Sequence, residues 1–191
     1  MRLSLVVAVA AMLSASLAGR ADTTITFSGL PSSGFPPVTT YSEGGFTVTD
    51  TVGQFFDGDA FGDPTPDLYM FEGTAGITVT ANGGGNFSFT DVDFANEANT
   101  ATYTITGLLN GVNVFSTTGS VAGSFTFASY GSGHNGTINA LEISLESDSG
   151  EADLDNISLG VAPAPVPEPS SFLLFGTSLF GVAGALRKRF A

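Results

Sequence analysis

Residues 87–106 read FSFTDVDFANEANTATYTIT, and apolar side chains recur there at every second position. Phe87-Ser88-Phe89, Val92-Asp93-Phe94 and Tyr103-Thr104-Ile105 each set apolar residues on either side of a polar one. A strand turns successive side chains to opposite faces, so this pattern buries one face and wets the other. A helix needs apolar residues three and four apart instead. Val92 falls out of phase with Phe87 and Phe89 but in phase with Phe94, which predicts a bulge or bend near Thr90-Asp91.

The alternation continues outward in both directions. Strand-like segments fall at 23–27, 45–49, 67–71, 76–80, 86–94 and 101–106, then at 112–116, 124–128, 138–145 and 155–159. Gly, Asn and Ser turns separate them, and no amphipathic helix interrupts them. About ten short strands of this kind predict an all-β fold, an antiparallel β-sandwich or jelly roll. Asn110-Gly111 between Leu109 and Val112 suits a hairpin with a type I′ turn. The expected core is Phe87, Phe89, Phe94, Tyr103, Ile105, Phe125, Phe127, Ile143 and Leu145, with Ser88, Thr104 and Thr126 facing out.

A chain of 191 residues holds one such domain once its terminal segments are set aside. It has no Cys, so an exported domain must hold itself together without disulfides. All five basic residues lie near the ends: Arg2, Arg20, Arg187, Lys188 and Arg189. Of the eighteen acids only Glu168 lies in the C-terminal tail, so residues 22–166 carry seventeen acids and neither Lys nor Arg. A surface without cations cannot neutralise phosphates, which excludes nucleic acid as a partner. The acids serve either as a solubilising surface or as ligands for cations.

Both ends read as addresses. Residues 1–21 have the form of a signal peptide: Arg2, an apolar run at 3–13 (LSLVVAVAAML), then small residues. Cleavage is expected after Ala21, where the polar strand-like DTTITF begins; Ala18 is the alternative. The apolar run is shorter than the ~20 residues of a membrane anchor. Residues 22–160 are then the β domain and 161–166 (VAPAPV) a Pro/Ala linker that extends as polyproline II. Pro167-Glu168-Pro169 follows, then an uncharged apolar stretch at 170–186 and the closing cluster Arg187-Lys188-Arg189. About 17 residues in a transmembrane helix rise ~26 Å, enough to cross a bilayer, with the basic cluster as a stop signal on the cytoplasmic side.

The order of Val166-Pro167-Glu168-Pro169-Ser170, apolar span and basic cluster resembles the PEP-CTERM sorting signals of Gram-negative bacteria. The resemblance covers about the last 27 residues. It implies recognition by exosortase, a membrane transpeptidase-like protease, with processing near the motif. It also implies a place at the cell surface or in the extracellular matrix of bacteria that make exopolysaccharide, biofilm or flocs. The run from Phe87 through Thr106 to Asp155-Asn156-Ile157 resembles galactose-binding-like β-sandwiches, which implies a jelly-roll path and glycan binding, with no sugar-contact residue carried over.

Candidate chemistry sits in the loops. Asp57, Asp59 and Asp63, with Asp67 beyond Pro64 and Pro66, are spaced carboxylates able to supply hard oxygen ligands to Ca²⁺, or simply residues that make turns. The EF-hand pattern fails because Leu68 stands where its closing Glu belongs. Asp148, Glu151, Asp153 and Asp155 form a second acidic group. By analogy with jelly rolls that hold Ca²⁺ near their last strand, Asp155 is the leading metal candidate, Glu43 a distant partner, and an Asx turn the alternative. His134, the single histidine, lies in a Gly/Ser loop without an ordered partner. Tyr41, Phe55, Phe56, Phe61, Tyr69 and Tyr130 are the rings that could meet a sugar, although there is no Trp. Gly83-Gly84-Gly85 lacks the GK[ST] of a phosphate loop.

The reading that follows is a non-enzymatic exported surface or matrix protein that engages exopolysaccharide or neighbouring proteins. Signal peptidase and exosortase act on it during export. The alternative is a secreted glycan-active hydrolase with an Asp/Glu pair, which needs two carboxylates about 5–9 Å apart beside a cleft. A passive structural filler is the third.

Overall fold

Residues 87–106 form two long strands, as the alternation predicts, but the strands belong to different sheets. The computed structural model describes residues 22–161 apart from 32, 59–61, 63–65 and 98. The expected signal peptide with its Ala21 cleavage site lies outside the described residues. So do Asp59, Asp63, most of the linker, Pro167-Glu168-Pro169, the 170–186 span and Arg187-Lys188-Arg189.

Twelve strands follow one another. The first six are β1 (Thr23–Ile25), β2 (Thr40–Glu43), β3 (Phe46–Val52), β4 (Phe56–Gly58), β5 (Asp67–Met70) and β6 (Gly73–Ala81). The others are β7 (Phe87–Asn96), β8 (Thr100–Leu109), β9 (Val112–Ala122), β10 (Ala128–Gly131), β11 (Ala140–Ser147) and β12 (Ala152–Val161). The β12 sheet runs β10-β7-β12-β5-β4, with β1 also on β12; the β11 sheet runs β2-β3-β6-β11-β8-β9. Every pairing is antiparallel. β5 meets Ala152–Leu154 and β1 meets Ile157–Leu159, so both lie along the edge of β12 that β7 leaves open.

The inner faces share one apolar cluster that draws on both sheets, and aromatic pairs bridge the gap. Phe46 meets Phe87 edge-on with centroids 5.2 Å apart, and Phe94 meets Tyr103 at 5.2 Å. Phe89 stacks on Phe115 at 6.3 Å. Such pairs add to the area they bury. The arrangement is a two-sheet antiparallel sandwich without a helix among the described residues.

The local details follow the sequence closely. Asn110 and Gly111 both take positive φ (54° and 77°), the signature of a type I′ turn, and join Leu109 to Val112. The predicted irregularity near Thr90-Asp91 is present. β7 moves from Asp91 to Phe89 while β12 moves only from Ser158 to Leu159, which leaves Thr90 extra on β7. Just before this, β12 advances from Asp155 to Ser158 while β7 moves only from Asp93 to Asp91. Asn156 takes up the extra residue with φ 46°.

Two differences have physical causes. Residues 124–127 are not a strand: the N–H groups of Ser124 and Phe125 both donate to the Asn96 carbonyl, which folds the chain over the end of β7. Phe125 therefore sits at φ 51° and 54% exposed, outside the core, and pairing with β7 begins only at Ala128. Phe127 is half-buried. Strands β2 and β4 went unpredicted because TYSE and FDG carry too few residues to show a period. The Gly44-Gly45 turn that pairs β2 with β3 was the available signal.

Phe94 is fully buried against Tyr103 and Tyr130. Phe94→Ala should cost about 3–5 kcal/mol of stability, while Phe125→Ala should stay within about 1 kcal/mol. Urea unfolding of the exported protein and the two variants measures the difference.

Candidate functional site

The acids that matter lie where β4, β5 and β12 run side by side. Leu68 and Leu154 are paired neighbours in the core, so Asp67, Tyr69, Asp153 and Asp155 point to the opposite face. That face is nonetheless covered. Asp67 and Asp155 are fully buried and Asp153 is 4% exposed. Asp57, opposite Leu68, belongs to the other row and the other face of the sheet. The structure thus separates Asp57 from Asp155 and brings Asp155 together with Asp67 and Asp153.

Among the described residues no N–H or hydroxyl of another residue donates to the Asp67 carboxyl. Its Oδ1 lies so close to the Gly58 backbone that a Cβ there would sit 1.7 Å away, so only glycine fits beside it. What the Asp67 carboxyl does meet is the carboxyl of Asp153. Two carboxyl groups can hydrogen-bond only when one carries a proton. Burial first, then the charges of Asp153 and Asp155, push the Asp67 pKa up to about 8. Burial, then Glu151 and Glu97, push Asp153 up to about 7, partly offset by the hydrogen bond with Asp67. Like charges in contact cannot both ionise cheaply, so the pair shares one proton near neutral pH.

Around the pair the other carboxylates find donors. Asp155 Oδ1 accepts from the Asn156 N–H at 2.7 Å. Asp93 accepts from the Ser129 hydroxyl and from Asn156 Nδ2. The Glu151 N–H donates to Glu97 Oε2, and burial followed by the Glu97 charge raises the Glu151 pKa. Among the described residues no group of three or more His, Asp or Glu side chains is arranged to hold a metal ion.

Glu43, expected as a distant metal partner, gathers hydrogen bonds from two segments. It accepts from the Thr26 and Phe27 N–H groups at 2.9 and 3.0 Å and from the Thr26 and Tyr41 hydroxyls at 2.9 and 3.0 Å. This ties the end of β1 to β2 and holds Phe27, at φ 54°, in the core. His134 lies against Phe115 with ring centroids 4.8 Å apart.

Of the candidate rings, Phe56 and Tyr69 come together and gain two that the sequence did not mark, Phe35 and Phe71. Tyr69 meets Phe35, Phe56 and Phe71 with centroids 5.5, 5.6 and 5.3 Å away, and Phe56 meets Phe71 at 5.8 Å. Phe35 and Phe71 are 48% and 52% exposed, so two ring faces reach solvent above Tyr69, the cross-strand neighbour of Asp153. Tyr41 packs on Phe27, Phe55 is buried, Tyr130 joins Phe94 and Tyr103, and Phe61 lies outside the described residues. The acid pair differs from a glycosidase pair, because its members touch one another under cover rather than flanking a cleft.

Residues 165–189 match the family profile described as the PEP-CTERM protein-sorting motif, so the C-terminal segment is a sorting motif of that type. No curated protein matches the chain significantly. Among solved structures the chain is similar to a DUF4465 family protein from Bacteroides caccae, at 10% identity and a TM-score of 0.39, over 75% of this chain and 100% of that one. It is similar to a structure described as "CBM4 structure and function" at 10% identity and a TM-score of 0.29, over 74% and 86%. A cycloisomaltooligosaccharide glucanotransferase from Paenibacillus sp., complexed with cycloisomaltoheptaose, shares 19% identity over 77% of this chain and 17% of that one, with a TM-score of 0.23. Likenesses of this size leave the fold to rest on the chain's own strand pairing.

The raised carboxyl pKa values fix a sign. An unfolded Asp titrates near 3.9, so between about pH 4 and pH 8 the folded protein holds more protons than the unfolded chain. The pair's contribution to stability therefore falls as pH rises through that window and levels off above it. Asp67→Asn removes one charge at nearly constant shape, and it should gain stability relative to the parent as pH increases. Urea midpoints of both proteins between pH 5 and 9 read the difference; parallel curves would contradict the shared proton.

Proposed function

We propose that this chain is a non-enzymatic exported protein of the cell surface or extracellular matrix, whose sandwich binds an uncharged polysaccharide. The observation that carries the first half is the sorting motif at residues 165–189. On this reading signal peptidase cleaves after Ala21. The 170–186 span then holds the chain in the membrane with Arg187-Lys188-Arg189 inside, and exosortase processes it at Pro167-Glu168-Pro169. The acidic domain is left outside, in a bacterial envelope or biofilm rich in exopolysaccharide.

The ring cluster of Phe35, Phe56, Tyr69 and Phe71 supports the second half. Half-exposed aromatic faces offer a sugar ring an apolar platform. Charge narrows the ligand. Seventeen acids without an internal Lys or Arg repel polyanions, which leaves neutral glycans as the fitting class.

Two measurements test the two halves separately. Replacing Pro167-Glu168-Pro169 with alanines should leave a longer, membrane-retained form in the native host, visible by mass spectrometry. A wild-type secreted form that still carries residues 170–186 contradicts the sorting half. For the domain, Phe35→Ala/Phe71→Ala should weaken binding to a neutral polysaccharide by at least about tenfold, close to 1.4 kcal/mol, with the fold intact. Binding that survives, or new reducing ends released during incubation, overturns the binding half; the second outcome favours the hydrolase.

A further inference from the structure

The seventeen acids are unevenly spread. Residues 98–141 contain no Asp, Glu, Lys or Arg. In the fold this uncharged block becomes β8, β9 and β10 with the loops around them, so it makes up one side of the sandwich. β9 is the edge of its sheet there and pairs with β8 alone among the described residues.

That edge differs from the others. β2, β4 and β10 have four, three and four residues, and β2 and β4 carry Glu43 and Asp57. β9 has eleven residues with neither a charge nor a proline. A register shift at Gly107/Leu108 leaves Val114 as a bulge near its start, but from Phe115 to Ala122 the ladder is regular. An edge strand turns a row of backbone N–H and C=O groups outward, and proteins usually blunt such edges with charge, proline or short length. None of these devices protects 115–122. Apolar side chains flank the stretch at both ends, with Val112 64% and Phe125 54% exposed.

We propose that β9 is a self-association edge: a second copy of this chain pairs its own β9 antiparallel to the first, joining the two β11 sheets into one. Electrostatics selects this occupant and this side. The nearest acids on the outer face of the sheet are Glu142 and Glu146 of β11, two strands from β9. Strands lie ~4.8 Å apart, so across the joined sheet these glutamates face their counterparts over five spacings, ~24 Å. That is about three Debye lengths at physiological ionic strength, and the repulsion is screened. At the β10 edge of the β12 sheet the half-buried Asp93 lies only one strand in, so its two copies would face each other over three spacings, ~14 Å. Antiparallel pairing of β9 with itself has two-fold symmetry, uses the same edge of both copies and therefore closes at a dimer rather than growing into a fibre.

Side-chain geometry supplies a specific test. Ser116 and Thr118 face outward on the sheet, and self-pairing sets this outer row opposite the same row of the second copy. The exported protein, recovered from its host, should sediment as a dimer at micromolar concentration. Ser116→Glu/Thr118→Glu should sediment as a monomer with the parent's circular dichroism spectrum, and so should Ser116→Lys/Thr118→Lys. Mixing the two variants should restore a dimer, because opposite charges then face each other. A monomeric parent, or a Glu variant that remains dimeric, overturns the proposal, and so does a mixture that stays monomeric.

Discussion

Among residues 22–161 there is no Lys or Arg, so every sheltered carboxylate must find an N–H, an O–H or a proton. Glu43 gathers four donors and in doing so fastens β1 to β2. Asp93 takes the Ser129 hydroxyl on one side and the Asn156 amide on the other, linking β7 to β10 and to β12. Asp50 Oδ2 accepts from the Gln54 amide. Asp67 and Asp153 have each other, which a shared proton turns from repulsion into a bond. In this chain the acids act as polar stitching between strands, a role that ion pairs fill elsewhere.

The same constraint sorts the surface. One sheet carries Asp67, Asp153, Asp155 and Asp93 on its outer side, partly roofed by Tyr69 and the rings around it. The other turns out Thr78, Thr102, Thr104, Thr106, Ser116 and Ser144, with Glu142 and Glu146 as the charges among them. Held together without disulfides, the sandwich relies on the apolar cluster between the sheets and on these polar links. The acids of the first face are buried or half-buried, whereas the hydroxyl face and the uncharged edge are open to contact.

Period-two alternation made the architecture legible, because it is a local property that survives into the fold. Phe87, Phe89, Phe94, Tyr103, Ile105, Ile143 and Leu145 are buried as expected, and even the phase change before Val92 could be read from the spacing. Phe125 shows the limit. The F-T-F alternation of 125–127 is strand-like, yet two hydrogen bonds to Asn96, distant in sequence, turn the chain instead. The acid pair was hidden for the same reason. Asp67 and Asp153 stood in separate acidic loops of the sequence, and only the β5–β12 register brings them together. Phe35 and Phe71 looked like ordinary loop and strand-end residues until Tyr69 placed them side by side.

The account depends on carboxyl groups being satisfied by donors and one shared proton, so the carboxyl groups themselves are the place to measure. Carbon-13 NMR titration of the exported protein, with Asp67→Asn and Asp153→Asn for assignment, follows each Asp carboxyl carbon directly. The account predicts that the resonances of Asp67 and Asp153 keep proton occupancy into the neutral range and move together. If every aspartate, these two included, is fully ionised by about pH 5, the usual behaviour of exposed carboxylates, the account is contradicted.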